Sequence, residues 1–243
     1  MCKVCGDDTH VSQDSRRHFL RNSALAMVGT LSMRLAVAAD ARSSQAPNAI
    51  PPAEALKHLM AGNARYVANT PRERDFSSGR PARAKAQFPI ASIFGCSDSR
   101  IAPELAFDQG PGALFVMRVA GNIVTPDLLA SLEYGVQFLS TPLVMVLGHT
   151  GCGAVDAAIK VIKNNTVLPG HLPGLIDAIK PAVVEAERVP TDHLLDAAIV
   201  TNIRRQVAQL KEAGPIVAQY YQDRKIDIVG AVYDLKTGVI KQV

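Results

Sequence analysis

The stretch Pro142-Leu-Val-Met-Val-Leu-Gly148, which leads directly into His149, is a short apolar run that ends at a glycine. Earlier in the chain, Pro89-Ile-Ala-Ser-Ile-Phe-Gly95 leads into Cys96 in the same way. Short apolar runs bounded by proline and glycine are typical of strands in a parallel sheet, whose two faces are both covered. The segment between the runs is long enough for a crossover connection through a helix. The two stretches therefore predict an α/β fold with a parallel sheet at its centre.

Strand-like and helix-like segments alternate along the rest of the chain. Residues 226–233 and 239–243 are separated by a Lys-Thr-Gly turn, which predicts a strand with an antiparallel hairpin partner. Residues 53–69 carry apolar side chains at roughly helical spacing, which predicts an N-terminal helical arm. We therefore expect a central, mostly parallel β-sheet flanked by helices, with an antiparallel edge.

Chemically active side chains follow directly after both apolar runs. Cys96, Asp98 and Arg100 come after the first run, and His149 and Cys152 come after the second. Because the carboxyl ends of parallel strands open onto one edge of the sheet, we expect these side chains to converge there. Two thiolates and one imidazole suit Zn²⁺, and Asp98 is available as a fourth ligand. The sequence therefore predicts a metal site that binds one Zn²⁺ per chain.

The pair of motifs Cys-x-Asp-x-Arg and His-x-x-Cys resembles the zinc signature of the β-class carbonic anhydrases, and the likeness extends over most of the chain. The resemblance implies a zinc ion held by Cys96, His149 and Cys152. It also implies that Asp98 and Arg100 form a catalytic dyad. The reaction that it implies is the reversible hydration of CO₂ to bicarbonate and a proton.

The same resemblance implies how substrate and partner subunits are bound. Gln109 lies in a loop where some family members have a glutamine that contacts substrate, although counting back from Phe115 puts Gly110 at the matching position. Gly151, inside the second motif, is expected to line the substrate cleft. The N-terminal helical arm resembles the arm with which family members pack on a partner subunit. This implies a homodimer or a higher homo-oligomer.

Two partners are available to Asp98, and the sequence leaves both open. A carboxylate two residues from a metal thiolate can bind the metal directly. The planar guanidinium of Arg100 can instead hold that carboxylate through two hydrogen bonds and keep it away from the metal. The zinc site is therefore either closed by Asp98 or open. A purely structural ion pair that stabilises the turn is the remaining interpretation.

The composition limits the class of protein. A chain of 243 residues that is 48% hydrophobic is large enough for one globular domain with a substantial core. The net charge of +4 is mild and there is no Trp, so neither feature favours nucleic acid as a partner. Two of the four cysteines, Cys96 and Cys152, are assigned to zinc, and the other two, Cys2 and Cys5, lie at the extreme N-terminus. A disulfide framework is therefore not expected.

The N-terminal residues have the pattern of a bacterial export signal. Ser15-Arg-Arg-His-Phe-Leu-Arg21 resembles the twin-arginine motif, a moderately apolar run follows at 22–33, and small residues suited to cleavage lie at 36–39. The predicted organisation is a twin-arginine signal peptide at 1–39, a linker at 40–52 and a β-carbonic anhydrase domain at 53–243. This implies the twin-arginine export machinery as a partner and a periplasmic location. A cytoplasmic protein with a basic amphipathic N-terminus is the alternative.

The predicted function is zinc-dependent CO₂ hydration, with bicarbonate as the other small-molecule partner. Two alternatives stay open. One is a related zinc hydrolase of CS₂ or COS, since the same ligands suit other linear molecules and access to the pocket would decide. The other is a non-catalytic zinc-binding protein, which is expected to lack the Asp98 and Arg100 pair that is present here. A cysteine redox protein would leave His149 without a task.

Overall fold

The structure of the protein is a computed structural model that describes residues 46–243 as one compact unit. The predicted signal peptide at 1–39 lies outside the described residues, and the predicted linker at 40–52 lies partly within them. In the described part of the chain, no helix has both the length and the apolar character that crossing a membrane requires.

The centre of the domain is a five-stranded sheet. Its strands are Ala91–Gly95 (β1), Leu114–Arg118 (β2), Leu143–His149 (β3), Asp227–Tyr233 (β4) and Ile240–Gln242 (β5). Their order is β2-β1-β3-β4-β5, with β1 to β4 parallel and β5 antiparallel to β4. The predicted fold class, a mostly parallel sheet with one antiparallel edge, is confirmed.

Helices cover both faces of the sheet. They are Pro52–Val67 (α1), Arg80–Arg83 (α2), Pro103–Ala106 (α3), Pro126–Gln137 (α4), Gly153–Asn164 (α5), Leu172–Ala186 (α6), Leu194–Lys211 (α7) and Ile216–Gln222 (α8), with a 3₁₀ turn at Ala120–Asn122. Helix α4 begins at a proline, which has no N–H to leave unsatisfied at the first helical position. The hydroxyl of Thr125 caps this helix by accepting from the Leu128 N–H at 3.5 Å.

Strand β3 lies in the middle of the sheet, and all of its residues are buried. Its side chains alternate between two apolar clusters. Val144 and Val146 pack with residues of α4 to α8, whereas Met145 and Leu147 pack with residues of α1. Burying each such side chain stabilises the fold by roughly 1.5–3 kcal/mol. The uninterrupted apolar run therefore belongs to a strand that is covered on both faces.

Asn63 fixes α1 to two other parts of the domain. Its side chain is buried, and its Nδ2 donates to the carbonyls of Ala106 and Gly238 at 3.0 and 2.8 Å. Its Oδ1 accepts from the Ile240 N–H at 2.9 Å. The N-terminal helix is consequently attached both to the end of α3 and to the hairpin between β4 and β5.

The described part of the predicted linker packs against the domain. The side chain of Asn48 is buried, and its Nδ2 donates to the carbonyls of Pro89 and Leu139 at 3.1 and 2.7 Å. These carbonyls precede β1 and β3, which are neighbours in the sheet. Asn48 therefore joins the entrances of two adjacent strands just before α1 begins.

Candidate metal centre

Two sulfur ligands and one nitrogen ligand meet at the carboxyl end of the sheet. Cys96 follows β1, His149 is the last residue of β3, and Cys152 immediately precedes α5. Their ligand atoms all lie within 4.8 Å of one another, and all three residues are buried. Because β1 and β3 are adjacent parallel strands, their ends deliver these residues to the same edge. The structure thus brings together the three residues that the sequence assigned to zinc.

The imidazole of His149 is oriented so that Nε2 can bind a metal. Its Nδ1 lies 3.0 Å from the carbonyl oxygen of Thr150, which accepts the Nδ1–H and leaves the lone pair on Nε2. Nε2 is buried and has no hydrogen-bond partner among the described residues. A buried nitrogen of this kind is unfavourable unless a ligand satisfies it. Together with the two neighbouring sulfurs, it forms a donor set that fits Zn²⁺.

The two thiols differ in pKa because they lie against each other. A hydrogen bond from Cys152 outweighs burial and holds the pKa of Cys96 below its usual range, and the Gly121 N–H donates a further hydrogen bond to the sulfur. The pKa of Cys152 is raised, because its S–H donates a hydrogen bond to the Cys96 sulfur and because the thiol is buried. Metal binding needs both groups as thiolates, so it must displace the proton that Cys152 keeps.

Asp98 is bound to Arg100, which is one of the two arrangements that the sequence left open. The guanidinium donates from Nε to Oδ1 at 2.8 Å and from Nη2 to Oδ2 at 2.6 Å, and the Arg100 backbone N–H donates to Oδ1 at 3.0 Å. These hydrogen bonds hold the pKa of Asp98 well below its usual range. Asp98 Oδ2 lies 3.7 Å from His149 Nε2, so the carboxylate borders the metal centre. Direct binding of zinc by Asp98 stays a prediction.

Arg118, which sequence reasoning missed, supports the turn that carries Cys96 and Asp98. It donates from Nε to the Cys96 carbonyl at 2.8 Å and from Nη2 to the Asp98 carbonyl at 2.5 Å. Arg118 is the last residue of β2, which pairs with β1. The available signal was a charged residue at the end of an otherwise apolar strand.

Gln109 lies at a cavity whose wall includes none of the three metal-centre residues. Its Nε2 donates to the Phe107 carbonyl at 2.9 Å, so the side-chain amide is hydrogen-bonded within its own loop. The cavity has a volume of about 430 Å³, and its wall includes Tyr66, Phe76 and Leu105. The contact of Gln109 with substrate stays a prediction.

Gly151 forms the turn between two of the metal-centre residues. Its φ of +63° is in the left-handed region, which glycine adopts without strain. The turn is held by Thr150, whose Oγ1 accepts from the Leu235 N–H at 3.0 Å. Gly151 therefore allows the chain to reverse between His149 and Cys152. The contact of Gly151 with substrate stays a prediction.

The sheet presents two cysteines and one histidine at one edge, beside a carboxylate that an arginine holds. This combination defines the protein as an α/β zinc metalloenzyme. The family model described as carbonic anhydrase matches residues 91–240. The chain belongs to the carbonic anhydrase family, in its β class. Zinc as the metal and carbonic anhydrase as the enzyme class are thereby confirmed.

Individual relatives resemble the chain over most of its length. It is 37% identical over 188 residues to carbonic anhydrase 2 of Mycobacterium tuberculosis, covering 77% of this chain and 90% of the relative. The β-carbonic anhydrase of Coccomyxa, solved in complex with acetazolamide, is 30% identical with a TM-score of 0.61, over 69% of this chain and 77% of that one. A tetrameric β-carbonic anhydrase of Sordaria macrospora has the same fold at 24% identity, with a TM-score of 0.60 over 67% and 84% of the two chains.

Proposed function

We propose that the chain catalyses the reversible hydration of CO₂ to bicarbonate and a proton at the centre formed by Cys96, His149 and Cys152. The observation that carries the proposal is the buried His149 Nε2 without a partner among the described residues, within 4.8 Å of both sulfurs. The Asp98 and Arg100 pair beside it separates this proposal from a non-catalytic zinc-binding protein. Relatives named carbonic anhydrase support the same reaction.

Each residue has a distinct task in this reaction. Cys96, His149 and Cys152 would hold the metal. A bound Zn²⁺ would lower the pKa of a coordinated water toward about 7, which supplies a nucleophile near neutral pH. Asp98 is ionised at that pH because of its lowered pKa, so it accepts a hydrogen bond from the attacking water and orients it toward carbon. Arg100 holds Asp98 in place through its two side-chain hydrogen bonds.

Stopped-flow CO₂ hydration by the zinc-loaded chain tests this function. We expect rapid hydration that depends on the bound zinc, and little hydrolysis of CS₂ or COS under the same conditions. Zinc-loaded protein that hydrolyses CS₂ or COS but leaves CO₂ unhydrated would contradict the proposal and support the alternative zinc hydrolase.

We also propose that the enzyme is a homodimer or a higher homo-oligomer. Two exposed apolar side chains, Phe76 and Leu105, are 57% and 66% exposed at the wall of the cavity next to α1. Strand β2 is an edge of the sheet in the described chain. The Sordaria macrospora relatives are tetrameric, which supports self-association for this fold.

We further propose that residues 1–39 direct export of the folded, zinc-loaded protein to the periplasm by the twin-arginine route. The support is the order of features in the sequence, from the Arg16-Arg17 pair through an apolar run to small residues. Export in folded form suits the centre, because zinc bound in the reducing cytoplasm would protect Cys96 and Cys152 from forming a disulfide in the periplasm.

Changing Arg16 and Arg17 together to lysine is expected to leave uncleaved, zinc-loaded protein in the cytoplasm. The reason is that the export motif needs the arginine pair, whereas folding and metal loading do not. Cell fractionation with immunoblotting, and zinc analysis of the retained protein, measure the effect. Arg34→Lys, outside the motif, is the matched control and should be delivered normally. Periplasmic delivery of the double variant at the normal level would rule out this route.

A further inference from the structure

Helix α7 buries two amide side chains that the reaction described above does not use. Asn202 and Gln206 are 1% and 5% exposed and lie one helical turn apart. Their buried neighbours on the same helix, among them Ala198, Ile199 and Ile203, are apolar. A buried amide is unfavourable unless its donors and acceptors are satisfied. The partners of these two amides therefore indicate what they do.

The two amides hold the segment that follows β2. Asn202 Nδ2 donates to the Gly121 carbonyl at 2.8 Å, and Gln206 Oε1 accepts from the Val124 N–H at 2.8 Å. Gln206 Nε2 donates to Asn202 Oδ1 at 3.3 Å, so the two side chains also hold each other. At the other end of this chain of contacts, the Gly121 N–H donates to Cys96 Sγ at 3.3 Å. A continuous set of hydrogen bonds thus runs from α7 to a metal-binding sulfur.

Gly121 occupies a position that strongly favours glycine. Its φ is +73°, in the left-handed region, and a Cβ there would lie 2.5 Å from Ile179 Cδ1. The residue has no side chain with which to anchor itself. The direction of its N–H therefore depends on the packing of its backbone and on the hydrogen bond that Asn202 makes to its carbonyl.

We propose that Asn202, supported by Gln206, is a positioning residue of the metal centre, which holds the Gly121 N–H on the sulfur of Cys96. An N–H that donates to a metal-bound thiolate withdraws electron density from the sulfur and fixes its orientation toward the metal. The inference rests on the metal centre of the proposed function. It assigns to α7 a role in the centre even though no residue of that helix is among the three ligands.

The test is a Cd²⁺ titration of the full chain, followed through the ultraviolet thiolate-to-metal absorption. Asn202→Leu replaces the amide with an apolar side chain of similar size. We expect its Cd²⁺ absorption to move to longer wavelength, because the sulfur regains electron density when the N–H is no longer held on it. We also expect Cd²⁺ affinity, measured against a competing chelator, to fall about 10-fold.

Asn63→Leu is the matched control. Asn63 is buried to a similar extent and also donates to backbone carbonyls, but its partners Ala106 and Gly238 lie outside the metal centre. We expect this variant to lose stability while its Cd²⁺ absorption and affinity stay those of the wild type. If the role of Asn202 were purely structural, both variants would lose stability and both would keep the Cd²⁺ absorption and affinity of the wild type.

The outcomes are distinct. Wild-type absorption and affinity in Asn202→Leu would overturn the positioning role. Should that variant fail to fold, Gln206→Met decides, with a smaller shift in the same direction supporting the inference and an unchanged spectrum overturning it. Wild-type protein that binds Cd²⁺ without any thiolate absorption would contradict the metal centre itself, and the inference with it.

Discussion

Replacing Cys152 with alanine is expected to remove zinc from the purified protein and to abolish CO₂ hydration. Cys152 is 2% exposed and is one of the three ligands that converge at the sheet edge. A structural zinc site contributes roughly 10–16 kcal/mol of apparent binding free energy. Losing one of three protein ligands should therefore weaken binding by roughly 3–5 kcal/mol, or about 10²–10⁴-fold in affinity.

Zinc content after dialysis against a chelator, thermal unfolding and stopped-flow hydration together measure this effect. We expect the unfolding temperature to fall with the zinc content, because zinc that binds only the folded state stabilises it. The matched control, compared with Cys152→Ala in the uncleaved full-length chain, is the double variant Cys2→Ala and Cys5→Ala, which also removes thiols but should keep zinc and activity. A full complement of zinc in Cys152→Ala would show that the ligand assignment is wrong.

Arg100→Ala is expected to keep its zinc and yet to lose CO₂ hydration by about 10²-fold or more, the size typical of losing a positioned catalytic group. The ligands Cys96, His149 and Cys152 are unchanged in this variant. Asp98, however, loses both side-chain hydrogen bonds that hold it, and it becomes free to turn onto the metal. Zinc analysis and kcat, measured on the same preparation, separate metal loss from loss of the dyad.

Arg100→Lys provides the graded control for that experiment. A lysine keeps the positive charge but cannot donate two parallel hydrogen bonds to one carboxylate. We expect its kcat to lie between those of the wild type and Arg100→Ala, with zinc content unchanged. Wild-type kcat in Arg100→Ala would mean that the pair with Asp98 only stabilises the turn.

The metal ligands could be predicted from the sequence because each one stands at an end of a secondary-structure element. Cys96 and His149 come directly at the ends of apolar runs, and parallel strands place such ends at one edge whatever the details of packing. The pair of Asp98 and Arg100 could be predicted for a similar reason. The two residues are so close in sequence that the turn itself brings them together.

The supporting residues could not be predicted, because they act on backbone groups of distant segments. Arg118 reaches the Cys96 carbonyl across 22 residues of chain, and Asn202 reaches the Gly121 carbonyl across 81 residues. Every residue has a carbonyl, so the sequence does not mark which one will be used. The side chain of Gln109 is a related case, since the direction of its amide depends on how its loop folds.

Asn63 has a consequence for the order in which the protein can assemble. Its side chain bonds to Gly238 and Ile240, which lie 175 and 177 residues further along the chain. A nascent chain leaves the ribosome from its N-terminal end, so α1 has no access to these partners until nearly all of the domain has been synthesised. The first helix of the described domain is therefore among the last to reach its final packing.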